Sequence, residues 1–386
     1  MGKALASRAC RAGGGPPTIR PSPAKLGRRE VTKPEHGFGI VGCGVIAPFH
    51  AKAIGDLPGA RLVAVADTSP ERALDLASDF GAEAVDVNEL LVRSDIDVVC
   101  VCVPSGLHAA IGVRAAAAGK HVVVEKPIEV TLEAADRLIT ACNEGGVTLS
   151  VISQHRWDSG VQALKELVDS GKLGRLLLGD AIVKWYRTQQ YYESGDWRGT
   201  WKLDGGGALM NQGVHYVDLL QWVMGPVERV FARTRTSAHP DIEVEDIALA
   251  VLSFASGAVG ILESSTAVYP GLSERLEVTG TGGTAIVEAG ELKVRELKEE
   301  KGETAPYGGK APASNDGKRG AAAAANPADI SYIGHREQLR DVLHAIGSGG
   351  KPAIDGAEAR KALEIILAVY ESARSGRDVA LPLAVV

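Results

Sequence analysis

The run Ile40-Val41-Gly42-Cys43-Gly44-Val45-Ile46-Ala47 sets two glycines and an alanine at G-x-G-x-x-A spacing. Each small residue has its own task if a pyrophosphate binds here. Gly42 permits a tight turn, Gly44 lets the backbone approach the anion, and Ala47 lets the next helix lie close to its sheet. Val45 and Ile46 fall at the start of that helix, whose free N–H groups face negative charge. Asp67 closes the apolar run of residues 62–66, about twenty residues beyond the glycines, where a carboxylate accepts hydrogen bonds from ribose hydroxyls. The pattern points to a dinucleotide. NAD is preferred, because Asp67 repels a 2′-phosphate, while the nearby Arg72 keeps NADP as an alternative.

Those residues need strands and helices to carry them. Short continuous apolar runs at residues 38–41, 62–66, 98–103, 121–124 and 147–152 alternate with Ala-rich helical stretches. This predicts an α/β Rossmann domain over residues 36–153, a doubly wound parallel sheet covered on both faces. Beyond residue 153 come a helix near 160–170, a polar aromatic segment to Gly207 and a second helix over 208–224. Six alternating runs follow, at 227–236, 247–255, 258–266, 274–279, 284–288 and 292–297. They predict an α+β domain over residues 154–378 with a large open, mostly antiparallel sheet. A helix over 358–375, stopped by Gly376, precedes a C-terminal strand and tail at 379–386. Residues 1–35, basic and rich in Pro and Gly, read as a disordered tail, and the low-complexity stretch 301–329 as a long surface loop.

Composition narrows the function classes. A chain of 386 residues exceeds one comfortable core, so two domains are expected. No apolar run approaches the roughly 18 residues of a membrane span. A net charge of -6 gives no basic field for nucleic acid. The five cysteines are scattered, and Cys100 and Cys102 lie in a strand-like run without a second Cys or His pair at zinc spacing. They read as buried small residues, no metal is expected, and a reducing cytoplasm fits. Arg28-Arg29 is followed by Glu30, Lys33 and Glu35 rather than an apolar region, and Ala6 breaks the myristoylation pattern, so export and lipid anchoring are not expected.

Two further segments sit at carboxyl ends of predicted parallel strands, where ligands collect in open α/β sheets. Pro104 and His108 follow the fourth strand, and Glu125-Lys126-Pro127 follows the fifth. With the glycine fingerprint, the Glu-Lys-Pro triplet resembles the glucose-fructose oxidoreductase / inositol dehydrogenase / rhizopine catabolism family, Gfo/Idh/MocA. The resemblance covers nearly everything after residue 36. It extends to Gly205-Gly206-Gly207 and Asn211-Gln212-Gly213-Val214-His215, which is similar to that family's D-x-x-x-H segment. Pro104, His108, Glu125 and Lys126 are then expected around the cofactor.

The resemblance implies that Lys126 and His215 work on a substrate hydroxyl. A neutral imidazole can take the hydroxyl proton as hydride leaves for the nicotinamide, and an ammonium can stabilise the alkoxide. Taken singly, Lys126 reads first as a solvated surface lysine and His215 as a satisfied helix histidine; their order and context together carry the assignment. Asn211 departs from the family's Asp. It can orient a hydroxyl but cannot raise the imidazole pKa as a carboxylate would. Asn here, in the run from Trp197 to Asp218, is similar to members acting on sugars or UDP-sugar acids at C3.

All five tryptophans, Trp157, Trp185, Trp197, Trp201 and Trp222, fall within one span alongside Tyr186 and Arg156. Flat aromatic faces suit the C–H faces of a pyranose, and Arg156, Tyr186, Trp197, Trp201, Asn211 and His215 are the expected substrate contacts. A sugar-like small molecule is the expected partner. An open sheet face would leave apolar surface in water, and the resemblance implies a homodimer or homotetramer. Two other functions stay open on sequence: an NAD-recycling glycosidase or lyase working through transient C3 oxidation, and a non-catalytic sugar or nucleotide sensor.

Overall fold

The computed structural model describes residues 36–301 and 331–384, so the tail of residues 1–35 and nearly all of the 301–329 stretch lie outside the described residues. The first sheet has six parallel strands: β1 (His36–Val41), β2 (Ala60–Ala66), β3 (Glu83–Ala84), β4 (Val98–Val101), β5 (His121–Val124) and β6 (Leu149–Val151). Their order, β3-β2-β1-β4-β5-β6, reverses between β1 and β4, and the crevice outside that reversal is where this fold binds dinucleotides. The strands are apolar without alternation because helices cover both faces. Val98, Val99, Cys100 and Val101 are wholly buried, which accounts for Cys100 as core. Helix α1 (Ala47–Gly55) follows β1 directly.

The second sheet holds β7 (Leu176–Lys184), β8 (Val227–Arg235), β9 (Ile247–Phe254), β10 (Val259–Ser265), β11 (Arg275–Gly280), β12 (Gly283–Glu288), β13 (Glu291–Leu297) and β14 (Val379–Ala380). The order is β13-β12-β11-β7-β10-β9-β8-β14, antiparallel except where β7 runs parallel to β10. Strand β7 lies inside what the sequence offered as a polar aromatic segment. Its inward positions Gly179, Ala181 and Val183 are small, so its alternation is weak in hydropathy although it sits mid-sheet.

One face of this sheet is covered by the helix Val214–Met224 and the helix Gly356–Ser375. In Val214–Met224 every residue but Trp222 is buried, as befits a helix wrapped on all sides. The expected single helix over 208–224 begins instead with a wide π turn, Ala208–Gly213. On the other face Leu178, Phe231, Leu249, Val251, Val259 and Ile261 are 39 to 53% exposed. They are contiguous: Val259 pairs with Leu178, and Val251 lies between Ile261 and Phe231.

The helix Ile333–Ser348 has no counterpart in the sequence reading. Its inward face carries His335 and Gln338 beside Leu339 and Val342, so its apolar period is broken. It packs against α1 of the first sheet, and Leu339 and Val342 join Ala51 and Ile54 in one core. The last part of the chain thus returns to the nucleotide-binding layer, inside the span expected to form a separate domain.

Candidate active site

At the glycine turn the fingerprint has the geometry its residue types require. Gly42 has φ +98°, and a Cβ there would lie 2.5 Å from the Cys102 carbonyl oxygen, so the turn tolerates only glycine. A Cβ on Gly44 would meet nothing within 4 Å, which leaves this face open to a ligand. Val45 is 60% exposed, Ile46 half-buried, and Ala47 wholly buried against the sheet. No side chain caps the N-terminus of α1, so its charge-attracting end stays free for an anion.

Asp67 accepts from the Cys43 N–H at 2.7 Å, the Ser69 N–H at 2.7 Å and Arg72 Nη2 at 2.8 Å. Burial would raise its pKa, but the Ser69 N–H, the Arg72 guanidinium and the Cys43 N–H outweigh it and hold the carboxyl below its usual range. The guanidinium that kept NADP as an alternative is therefore paired to Asp67.

Around the next two strand ends, three expected cofactor contacts fall differently. Pro104 stands half-buried at the end of β4, leading the turn Ser105–Leu107. His108 is buried, with Nδ1 2.8 Å from the Pro127 carbonyl oxygen and Nε2 3.0 Å from that of Val103. Both ring nitrogens face carbonyls, so His108 braces the two loops. The Glu125 carboxylate is also turned inward: His50 Nε2 lies 2.8 Å from Oε1, His335 Nε2 3.4 Å from the same oxygen, and the Lys126 N–H donates to Oε2 at 3.2 Å. Burial raises its pKa, yet His335 and His50 pull it well below the usual carboxylate range. His50, Glu125 and His335 bring ligating atoms within 4.8 Å of one another, the one group of this kind among the described residues. The 2.8 Å between His50 and Glu125 is a hydrogen bond, and the trio reads as a buried charge cluster beneath Lys126.

Lys126 meets the second sheet's helix layer. Its Nζ donates to the Asn211 carbonyl oxygen at 3.0 Å and to Asn211 Oδ1 at 3.2 Å. Asn211 Nδ2 donates in turn to Asp204 Oδ1 at 2.8 Å, and the Gly199 N–H holds Asp204 Oδ2 at 2.9 Å. Asp204, a residue the sequence did not single out, stands immediately before the glycine triplet. Burial pushes its pKa up to about 6, against the pull of the Gly199 N–H, the Asn211 amide and the Lys126 charge. Burial, with the charges of Arg198 and Arg187, lowers Lys126, and Glu125 and Asp204 hold it back.

His215 lies about one helical turn beyond Asn211. It is buried, and burial, the Lys126 charge and the neighbouring His155 push its pKa well below the imidazole range. The rings of His155 and His215 meet edge to face at 4.9 Å.

Glu245 holds the segment that carries Asn211. It accepts from the Gly207 N–H at 2.9 Å, the Leu209 N–H at 2.9 Å and the Tyr370 hydroxyl at 3.0 Å. A Cβ on Gly207 would lie 1.7 Å from the Glu245 carbonyl oxygen, so glycine is required at this crossing.

The expected substrate contacts divide. Trp197 lies under the Arg198 guanidinium at 4.4 Å, Trp201 is 47% exposed with its ring against Tyr370, and Tyr186 is half-buried against Tyr269. Arg156 is a correction. It is buried, with Nε donating to Asp218 Oδ2 at 2.7 Å and Nη2 to Glu358 Oε1 at 2.9 Å, and its guanidinium covers Trp222. Its Nε and Nη2 tie the turn Gln154–Trp157 to Val214–Met224 and to Gly356–Ser375, so these donors are spent on the protein.

Comparison with known proteins identifies the family and the fold. Residues 36–153 match the oxidoreductase family with an NAD-binding Rossmann fold, and residues 161–286 match the GFO/IDH/MocA C-terminal domain. The oxidoreductase YrbE of Bacillus subtilis is 30% identical over 65% of this chain and 73% of its own length. Myo-inositol 2-dehydrogenase of Thermotoga maritima is 27% identical over 89% of this chain and 98% of its own. The WlbA dehydrogenase of Bordetella pertussis, solved with NADH and UDP-GlcNAcA, is 34% identical, with a TM-score of 0.78 over 91% of this chain and 100% of that one. On fold, fingerprint and both matched domains, the chain belongs to the Gfo/Idh/MocA family of NAD-dependent oxidoreductases acting on CH–OH groups.

Proposed function

We propose that the chain oxidises a secondary hydroxyl of a nucleotide-linked sugar acid, or reduces the matching ketone, with Lys126 and His215 at the reacting oxygen. The observation that carries this is the Lys126–Asn211 contact, which joins the carboxyl end of β5 to the π turn leading into the helix that bears His215. Bound NAD supplies the hydride acceptor; the open face of Gly44, the uncapped start of α1 and Asp67 are the residues that would hold it. His215, neutral through burial beside Lys126, takes the hydroxyl proton. Lys126 stabilises the negative charge that builds on the oxygen. Asn211 orients Lys126, and Asp204 anchors Asn211. The sugar-acid reading is supported by the 34% identity to a dehydrogenase solved with UDP-GlcNAcA, and by Arg198 beside Trp197 as a cation near an aromatic face.

The test is reduction of NAD or NADP by the purified protein with a panel of UDP-sugar acids, free sugars, polyols and glycosides. Reduction by UDP-sugar acids supports the reading, and reduction by a free polyol alone moves the substrate class. Silence across the panel, with dinucleotide binding confirmed, overturns it in favour of internal cofactor recycling or a sensor.

The apolar open face of the second sheet is the surface through which we propose a homodimer or homotetramer forms. Light scattering at micromolar concentration should show more than a monomer, and Val251→Asp should lower the assembly state. The four cysteines among the described residues are free and buried, which supports a reducing, cytoplasmic location. No helix among the described residues is long and apolar enough to cross a membrane.

A further inference from the structure

Oxidising a hydroxyl releases one proton, and the base that accepts it must be emptied before the next turnover. His215 is poorly placed to keep a proton, since burial and the adjacent Lys126 both oppose its charge. The ring it touches is placed in the opposite way. His155 Nδ1 lies 2.7 Å from Asp158 Oδ2, and the two side chains are 17% and 30% exposed. The row His215, His155, Asp158 therefore runs from the reacting oxygen toward water.

We propose that His155, backed by Asp158, takes the substrate proton from His215 and delivers it to solvent. The inference rests on His215 as the base. The hydroxyl O–H breaks as an N–H forms on His215; because the two rings meet edge to face, that N–H breaks as a solvent water bridging their nitrogens takes the proton and gives one of its own to form the N–H on His155. His155 then releases the proton to water, with Asp158 steadying the transient imidazolium. Overall, alcohol and NAD give ketone, NADH and one proton, and this proton is what the pair carries.

The groups facing His155 fit the direction of transfer. Asp158 lies on its own turn, His215 and Tyr216 come from Val214–Met224, Glu274 precedes β11, Lys126 follows β5, and His335 comes from Ile333–Ser348. Burial lowers the His155 pKa, but the hydrogen bond and charge of Asp158, with Glu274 beyond, outweigh it and raise the group. His155 thus holds a proton more firmly than His215 does, and Asp158 opens the far side to solvent.

His155 is not needed to hold its turn. Arg156 and the Ser153 hydroxyl both bind Asp218, and Gln338 Oε1 accepts the Ser153 N–H at 2.9 Å. His155→Gln should therefore fold.

Titration of the histidine ring resonances in the full-length protein tests the row without any substrate, with assignment by His155→Gln and His215→Gln. His155 should titrate at higher pH than His215, and Asp158→Asn should move His155 downward. His155 titrating at or below His215, or indifferent to Asp158→Asn, would overturn the proposal. In the oxidation detected by the substrate panel, His155→Gln should slow turnover at least about tenfold. Added imidazole should restore it in a saturable way, while reduction run in the reverse direction responds to the same buffer. A loss that imidazole leaves unchanged would sink the relay, whereas full activity in His215→Gln would instead remove the base itself.

Discussion

At the dinucleotide end of the cleft, Gly42, Gly44, the start of α1 and Asp67 come from one turn, helix and strand in succession. At the proposed hydroxyl end Lys126 meets Asn211 across 85 positions, Asp204 and His215 come from the same stretch as Asn211, and His155 comes from a third part of the chain. The two ends also differ in how they treat charge. Asp67 is held as an anion by three donors at the rim, whereas Lys126, Asp204 and His215 are all displaced from their ordinary pKa by burial. Binding a constant ligand needs a local backbone shape; moving a proton needs buried groups set against each other, which only tertiary structure can assemble.

The contrast can be broken most sharply at Arg156. If it is a tie beneath the hydroxyl end, Arg156→Met leaves Asp218 and Glu358 buried without their partner. It should then cost about 3–5 kcal/mol of unfolding free energy, read by denaturant titration. Intact stability with a raised KM would return Arg156 to the substrate. Next in size, Lys126→Met should lower turnover by about 100-fold or more, roughly 3 kcal/mol, while NADH binding followed by fluorescence stays unchanged. Loss of both together would mean that the two ends are not separable.

A comparable effect belongs to Glu245, whose pKa burial raises to about 7. Because the folded value lies above the unfolded one, its contribution to stability is complete below about pH 4.3 and is lost as pH rises through about 7. Across that window the wild type should lose up to about 3 kcal/mol that Glu245→Gln does not, read as a flatter stability profile. Equal slopes would remove Glu245 as the titrating clamp on the Asn211 segment. The smallest effect is expected at the rim: Asp67→Asn should weaken NAD about tenfold, about 1.4 kcal/mol, and narrow the preference over NADP. An unchanged preference would show that Asp67 serves only the turn.

What could be read in the sequence follows the same division. The parallel sheet, Gly42, Gly44, Ala47 and Asp67 are legible because their signal lies within one βαβ unit. Lys126 and His215 were legible only through the family resemblance, since neither spacing nor composition links them. Asp204 and His155 carry no local pattern; they meet Asn211 and His215 only where the chain folds back on itself. Arg156 misled because a lone arginine among aromatics looks the same whether its carboxylate partners are near or absent, and those partners lie at 218 and 358. The helix Ile333–Ser348 escaped because His335 and Gln338 occupy inward positions that an apolar period would fill.

That same helix decides how the cleft can behave mechanically. By lying on α1 while the helix after it lies on the second sheet, the end of the chain straps both walls together. The two sheets are then joined by a clasp near the C-terminus as well as by the chain that passes between them after β6. A fragment ending there would expose the apolar flank of Ala51 and Ile54 and leave Glu125 without His335. The nucleotide-binding half is for this reason not a transplantable cassette: grafted elsewhere, it would have to bring its distant strap along.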